Sequence, residues 1–592
     1  MTDYVHPRQD TEFVLDEVLG FDRLCQDLGL SEVNGELARA ILDEAGKLGA
    51  EVLAPLNAVG DREGARLTEA GVQPASGFAE AYRLFAESGW CSLTAPEAFG
   101  GQALPNVIGT AVSEVWSAAN MAFALCPLLT QGAIEALVHH ASPALQATYL
   151  PRLVSGEWTG TMNLTEPDAG SDLAAVKSRA VPEGDHYRIT GQKIFITWGD
   201  HGMTPNIVHL VLARLPDAPA GVKGISLFLV PKYLPGADGE PGELNDVTCV
   251  GLEHKLGIHG SPTCSLSFGE RGGAIGYLVG EPHAGLACMF TMMNHARQAV
   301  GLQGLAIAER AWQDARAYAR ERLQGTNRDG SRYPIVRFPD VRRMLMQMKA
   351  STEAMRALAL IASAESDRAQ HATDPSAARA HQGRVELYTP IIKGWLTEVA
   401  QEVTSLAIQV HGGMGYVEET GVARHFRDAR ILPIYEGTNG IQAMDLVGRK
   451  TLANGGALLA GLLDDIETTL GELRQDARCA GLAAPLGEAL DAARQARQFL
   501  LDGAPGDPAL PGSVAFDFMM LLGYLCGGWA LCRSALAASA ALEAGRGDAA
   551  FLAAKPVTAR YYAEHLLPRT RALLASVLAG SESTLALDET LL

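Results

Sequence analysis

The hydrophobic period of this 592-residue chain changes twice, from helical to alternating and back to helical. Apolar residues that recur every three or four positions bury one stripe of a helix, whereas alternation buries one face of a strand. The chain is therefore confined to folds that place a β module between helical parts. After an N-terminal extension (1–35), the stretch 36–158 is helical: LARAILDEAGKLGAEVLAPL, FAEAYRLFAESGW and IEALVHHASPALQATYLPRLVSG all repeat at three and four residues. From 159 to 282 the runs shorten and are broken by Gly, Pro and Asp. HYRITGQKIFITWG, NIVHLVLARL and GISLFLVPKYL read as strands of a small barrel or sandwich, with GQKIFITWG forming a strand pair. The helical period then returns across 283–452. There, the 39 residues from Leu286 to Gln324 would span about 58 Å as one helix. A final Ala- and Leu-rich part, 453–592, reads as helical apart from GAPGDPALPGS at 503–513.

Charge, cysteine usage and the apolar runs narrow the function. A formal net charge of −20 speaks against nucleic acid or an anionic membrane as partner. Nine scattered cysteines without a CxxC pair point to reduced thiols in a cytoplasmic setting, with no disulfide framework and no metal site. The uncharged run FMMLLGYLCGGWALC (518–532) is shorter than the roughly 20 residues that cross a bilayer, so it reads as a buried helix. The N-terminal residues lack the basic and apolar regions of a secretory signal, and membrane attachment is not expected.

Within ILPIYEGTNGIQ, Glu436 stands between Tyr435 and Gly437 in a stretch almost free of charge. Partial desolvation there would raise its pKa and strengthen it as a base. The other reading of YEGT is a glutamate that caps an ordinary Gly/Asn turn.

Distant motifs bear on that choice. MNLTEPDAGSDL (162–173), GQKIFITWG (191–199), EHKLGIHGSPT (253–263), NHAR, ARER, QVHGGMGY and IYEGTNGIQ occur in the order and separations of the acyl-CoA dehydrogenase family, which the chain resembles over roughly 40–450. FVLDEVLGFD, SLTAPEAFGGQALP, FTMMNHAR and the C-terminal extension resemble its long branch of about 600 residues, which includes 3-methylthiopropionyl-CoA dehydrogenases. The implied fold is mainly α with a central β-barrel and an added C-terminal helical domain. The implied reaction is FAD-dependent α,β-dehydrogenation of an acyl-CoA thioester to the trans-2-enoyl-CoA, with Glu436 taking the α-proton and the β-hydride passing to flavin N5. A rival position for the base on the long helix is Ala296 here, which cannot accept a proton.

The resemblance also assigns binding residues. Met162, Leu164 and Thr165 would line the isoalloxazine edge, with Gly170 and Ser171 at the pyrophosphate or pantetheine. Phe195 and Thr197 would cover the flavin, a task that Trp198 could share because many relatives carry tryptophan where this chain has Phe195. Arg322, Gln409, Gly412 and Gly413 would hold the ADP half of FAD on a neighbouring subunit, which implies a homodimer, and Thr438 would lie near the same cofactor. Here RLQGTNRDGSRYPI replaces the family's shorter phrase after the arginine. Asn294, Arg297, Tyr435, Gly437 and Ser171 would contact acyl-CoA; Lys255 and Ser261 are less specific. His254, His259, His295 and His411 read as hydrogen-bonding or loop histidines. Electron-transfer flavoprotein is the implied acceptor. An acyl-CoA oxidase-type enzyme using oxygen, or a noncatalytic flavoprotein, would share the fold. A nicotinamide enzyme is not expected, since no GxGxxG opens a helix after a strand.

Overall fold

The computed structural model of the chain describes residues 3–592. Its residues gather into two compact units. One holds Lys47–Pro105 and Ala119–Ala299, and the other holds the described residues up to Gly46, Asn106–Ala118 and Val300–Leu592.

The first of these is built on one eight-stranded sheet: β1 (Trp158–Asn163), β2 (Arg179–Glu183), β3 (His186–Thr197), β4 (Asn206–Arg214), β5 (Ile225–Pro231), β6 (Val247–Leu252), β7 (Thr263–Phe268) and β8 (Ala274–Val279). The strand order is β6-β7-β3-β8-β5-β4-β1, and β2 pairs with both β3 and β4, closing β2, β3, β8, β5 and β4 into a barrel. Every residue of β5 is buried, as is all of β4 except Arg214, which explains their near-continuous apolar sequence.

HYRITGQKIFIT is one twelve-residue strand, β3, and not a strand pair. It bends without breaking. Gly191 has φ 144°, and a Cβ there would lie 2.3 Å from Ser178 Oγ, so the missing side chain lets β3 turn past Ser178. Further along, Cys264↔Ile196 and Leu266↔Lys193 pair across β7 and β3, leaving one extra residue on β3. This bulge puts Phe195 at φ 59°.

Most of the remainder is helical, and the helices that matter below are α1 (Asn106–His140), α2 (Gly285–Glu321), α3 (Pro339–His371), α4 (Pro375–Ile391), α5 (Thr397–His411), α6 (Val422–Ala429), α7 (Asn439–Asp445), α8 (Leu510–Glu543) and α9 (Ala549–His565). In α1 the helical geometry is interrupted at Asn120 (φ −158°, ψ 90°). The Asn120 side chain accepts from Phe123 N–H at 3.1 Å and donates to Leu53 O at 3.2 Å, so it caps the segment that follows. The expected single helix from Leu286 is α2, and the run 518–532 is the buried middle of α8. Both α1 and α8 are long and apolar enough to cross a membrane, yet 78% and 89% of their most apolar windows are buried inside the protein.

The second unit is held by buried charge as well as apolar packing. Arg356 of α3 makes a paired contact with Glu114 and reaches Glu309 at 2.8 Å. Lys555 of α9 is paired with Asp10 of the N-terminal extension and with Glu353 at 3.2 Å, and lies over the rings of Phe13 and Phe551. The N-terminal extension is thereby fastened to the C-terminal helices.

Candidate active site

The YEGT loop joins α6 to α7, and its backbone is strained at the carboxylate. Glu436 has φ 56°, a region that non-glycine residues avoid at a cost of about 1–3 kcal/mol. Such strain persists only where the surroundings over-determine it, and here they do. Gln442 donates its side-chain N–H to Glu436 O at 3.3 Å and to Gly437 O at 3.4 Å. Asn439 N–H donates to Pro433 O at 2.9 Å, closing the loop on itself. Thr438 is the N-cap of α7, its hydroxyl accepting from Ile441 N–H at 3.3 Å. Tyr435 donates its hydroxyl to Gln303 of α2 at 2.5 Å. Desolvation, with the Glu436 and Asp428 carboxylates, raises the Tyr435 phenol well above its ordinary value. Glu436 and Gly437 are half-buried and Thr438 is exposed.

Behind this loop lies a buried residue pair that the motif reading missed. Asn439 accepts from Lys393 Nζ at 2.8 Å and donates to Thr397 Oγ1 at 2.9 Å and Glu398 at 2.8 Å. Lys393 sits in the π-helical turn Ile392–Leu396 between α4 and α5. Such turns insert a residue into a helix and redirect the side chains around it. The sequence signal was a lysine in the apolar phrase TPIIKGWL.

In the barrel unit, residues assigned to the flavin converge at one edge. Met162 is the penultimate residue of β1, and Leu164 and Thr165 follow the strand directly. Thr165 O accepts from Ile194 N–H at 3.0 Å, which brings this segment against the β3 bulge that carries Phe195. Phe195 is 58% exposed, Thr197 is half-buried, and Gly170 and Ser171 lie on an exposed loop. The loop's shape comes from a buried ion pair. Lys193 donates to Glu166 at 2.7 Å and to Leu164 O at 3.0 Å. Glu166 also accepts from the Ser178 hydroxyl at 2.6 Å, from Lys177 N–H at 2.6 Å and from Ser178 N–H at 3.1 Å. Burial pushes Lys193 down to about 8. Burial also opposes the Glu166 carboxylate, but Lys193 and Ser178 outweigh it and hold it below its ordinary range.

Trp198 does not share the role given to Phe195. It is 1% exposed, stacks near Phe78 with ring centroids 6.2 Å apart, and donates its indole N–H to Ala122 O at 3.0 Å. Phe195 and Trp198 are three positions apart, so their side chains leave the chain on opposite sides, one outward and the other into the core.

Arg322, Gln409, Gly412 and Gly413 share a second surface. Tyr318, one turn before Arg322, stacks on His411 with centroids 4.3 Å apart, linking the end of α2 to the glycine loop. His411 donates its Nδ1–H to Ala407 O at 2.8 Å. All four assigned residues are exposed, alongside Met414, Val417 and Tyr416, the last 89% exposed. The CoA candidates on α2 are one turn apart, Arg297 donating to Asn294 at 3.3 Å; Arg297 is nearly enclosed and Asn294 exposed. Ala296, the rival base position, is buried. Lys255 donates to Ser261 O at 2.7 Å, and His259 directs its two ring nitrogens to Asp61 O and Lys255 O. His254 is exposed and His295 half-buried.

Four family models match the chain in succession. They are the acyl-CoA dehydrogenase N-terminal domain (35–157), its middle domain (161–270), its C-terminal domain (283–451), and an acetyl-CoA dehydrogenase C-terminal-like domain (462–588). The 3-methylmercaptopropionyl-CoA dehydrogenase of Ruegeria pomeroyi is 49% identical, with 95% of this chain and 96% of that protein covered. The broad-specificity linear acyl-CoA dehydrogenase FadE5 of Mycobacterium tuberculosis is 35% identical, with 96% of each covered. An FAD-complexed acyl-CoA dehydrogenase from Bacillus anthracis has the same fold at TM-score 0.75 and 22% identity, covering 93% of this chain and 89% of that one. The chain belongs to the acyl-CoA dehydrogenase family, flavin-dependent oxidoreductases that carry FAD.

Proposed function

We propose that Glu436 is the base that removes the α-proton of a bound acyl-CoA thioester. The observation that carries this reading is the strained backbone at Glu436, braced by Gln442, Asn439 and Thr438. Strain held in this way implies that the carboxylate's direction matters. An α C–H is a weak acid, so the base must be positioned and the thioester oxygen polarised. The Glu436 backbone N–H is assigned to that oxygen. Tyr435 and Gly437 flank the acyl carbons, and Asn294, Arg297 and Ser171 are assigned to the CoA moiety.

The residues present fit FAD. A Cβ built at Gly170, Gly412 or Gly413 meets nothing within 4 Å, so the backbone at each is open to a ligand. Met162, Leu164, Thr165, Phe195 and Thr197 would bound the flavin ring, and Thr438 would lie beside it. Arg322, with Gln409 and the two glycines, offers a fork of donors suited to diphosphate. When bound, FAD supplies a two-electron acceptor for the β-hydride. Because the Arg322 surface is exposed and rimmed by Met414 and Tyr416, we assign it to a second copy's cofactor, making the working unit a homodimer.

The relative at 49% identity supports 3-methylthiopropionyl-CoA as substrate, and FadE5 supports a linear fatty acyl-CoA. A kinetic panel of short to long acyl-CoAs with the thioether substrate decides between them. Electron-transfer flavoprotein is proposed as acceptor; turnover that instead yields hydrogen peroxide in air at the rate of flavin reduction would identify an oxidase. Glu436→Gln is expected to keep its yellow FAD and bind ligand while flavin reduction slows by about 10²–10⁴-fold. A variant that reduces flavin at the wild-type rate refutes the assignment.

A further inference from the structure

The loop 250–263, which carries EHKLGIHGSP, is anchored by Lys255, Ser261, Asp61 and His259, with Ile258 at φ 47°. Its two ends are the neighbouring antiparallel strands β6 and β7. Cys249 on β6 pairs with Leu266, and Leu252 pairs with Cys264, with one extra β6 residue between Cys249 and Gly251. Cys249 packs against the same apolar cluster that contains Cys264. By this register the two cysteines are diagonal neighbours on one face of the paired strands, and the Cys249 thiol donates to Gly251 O at 3.4 Å. β6 is the end strand of the sheet. Of the nine cysteines, all among the described residues, Cys249 is the one that is not buried.

We propose that Cys249 and Cys264 form a peroxide-oxidisable dithiol that closes a disulfide across the neck of this loop. Both side chains enter one apolar cluster from neighbouring strands, with the bulge after Cys249 between them, so the two sulfurs face the same space. Cys249 is the more exposed of the two, its neighbour Cys264 holds its thiol below the ordinary value, and burial pushes Cys264 well up. Cys249 is thus the attacking sulfur and Cys264 the resolving one. The Cys249 thiolate attacks one oxygen of hydrogen peroxide, the O–O bond breaks, and a sulfenic acid and one water form. Cys264 then displaces hydroxide at that sulfur, forming the S–S bond and a second water. Two electrons pass from the thiol pair to one peroxide, and both thiol hydrogens end in water. β7 pairs Cys264 with Ile196, between Phe195 and Thr197, so the cross-link ties the loop to the strand that carries both.

The test uses the FAD-loaded protein. It is exposed to hydrogen peroxide, its remaining thiols are alkylated in denaturant, and it is digested with trypsin without reductant. Cleavage after Lys255 places the two cysteines on separate peptides. A linked pair, lighter by two hydrogen atoms than the sum of its parts and separated by dithiothreitol, is the expected product. Cys249→Ser and Cys264→Ser should each abolish it, with circular dichroism confirming that both variants fold. Recovery of both wild-type cysteines alkylated, or of Cys249 as sulfinic acid without a link, overturns the proposal.

Discussion

Asp367 shows how a single buried carboxyl can give the fold a pH signature. It accepts Asn106 N–H at 2.6 Å and Val107 N–H at 3.0 Å, capping α1 from a different helix. Burial outweighs these donors and pushes it from 3.8 to about 6. Between those values the folded protein binds this proton more readily than the unfolded chain. Its contribution to stability therefore falls as pH rises through the window and stays level above it. The difference corresponds to about 3 kcal/mol. Asp367→Asn should accordingly gain about 2 kcal/mol relative to wild type between pH 4 and pH 7, measured by urea unfolding; a constant difference would contradict the shift. Lys193 is the sharper case for the site. Removing one partner of a buried pair costs about 3–5 kcal/mol, so Lys193→Met should lower thermal stability by that amount. A smaller loss would mean that the 164–178 segment keeps its shape without the pair. Neither role could be read from the residue's neighbours, because Lys193 and Glu166 are 27 positions apart. Glu436 was legible because its own flanking residues, Tyr435 and Gly437, already mark it as unusual.

Among the elements, α8 packs against Trp395, which lies behind the YEGT loop. A Cβ at Gly523 would lie 2.2 Å from the Trp395 ring, and one at Gly527 would lie 2.5 Å from it. Trp395 shares its π turn with Lys393, which holds Asn439 at the end of the loop. Helix α8 thus buttresses the segment that packs behind the YEGT loop. Gly523→Val should destabilise the protein by about 1–3 kcal/mol through overpacking. It should also lower kcat, while the FAD content stays at the wild-type level. Unchanged kcat at a temperature where the variant is folded would show that α8 and the loop are uncoupled. The helical and β periods made α2, α8 and most barrel strands visible in the sequence. The β3 bulge was not visible, because it depends on how Gly191 and Phe195 meet Ser178 and β7.

At the scale of the whole molecule, the proposed assignment of the Arg322 surface to a second copy's cofactor predicts a dimer. Light scattering should give a mass of at least twice the 62.7 kDa chain, and Arg322→Ala should lose FAD on dilution faster than wild type. A monomer that retains FAD would remove the basis for both expectations. Period and motif chemistry are properties of residues close together in the chain, and they were enough to settle the fold class and the family and to single out Glu436 as the candidate base. Packing settled the rest: Trp198 inside and Phe195 outside, Lys193 against Glu166, and Trp395 against α8. Burial and hydrogen-bond partners join segments tens to hundreds of residues apart, and local order in the chain carries no record of those meetings.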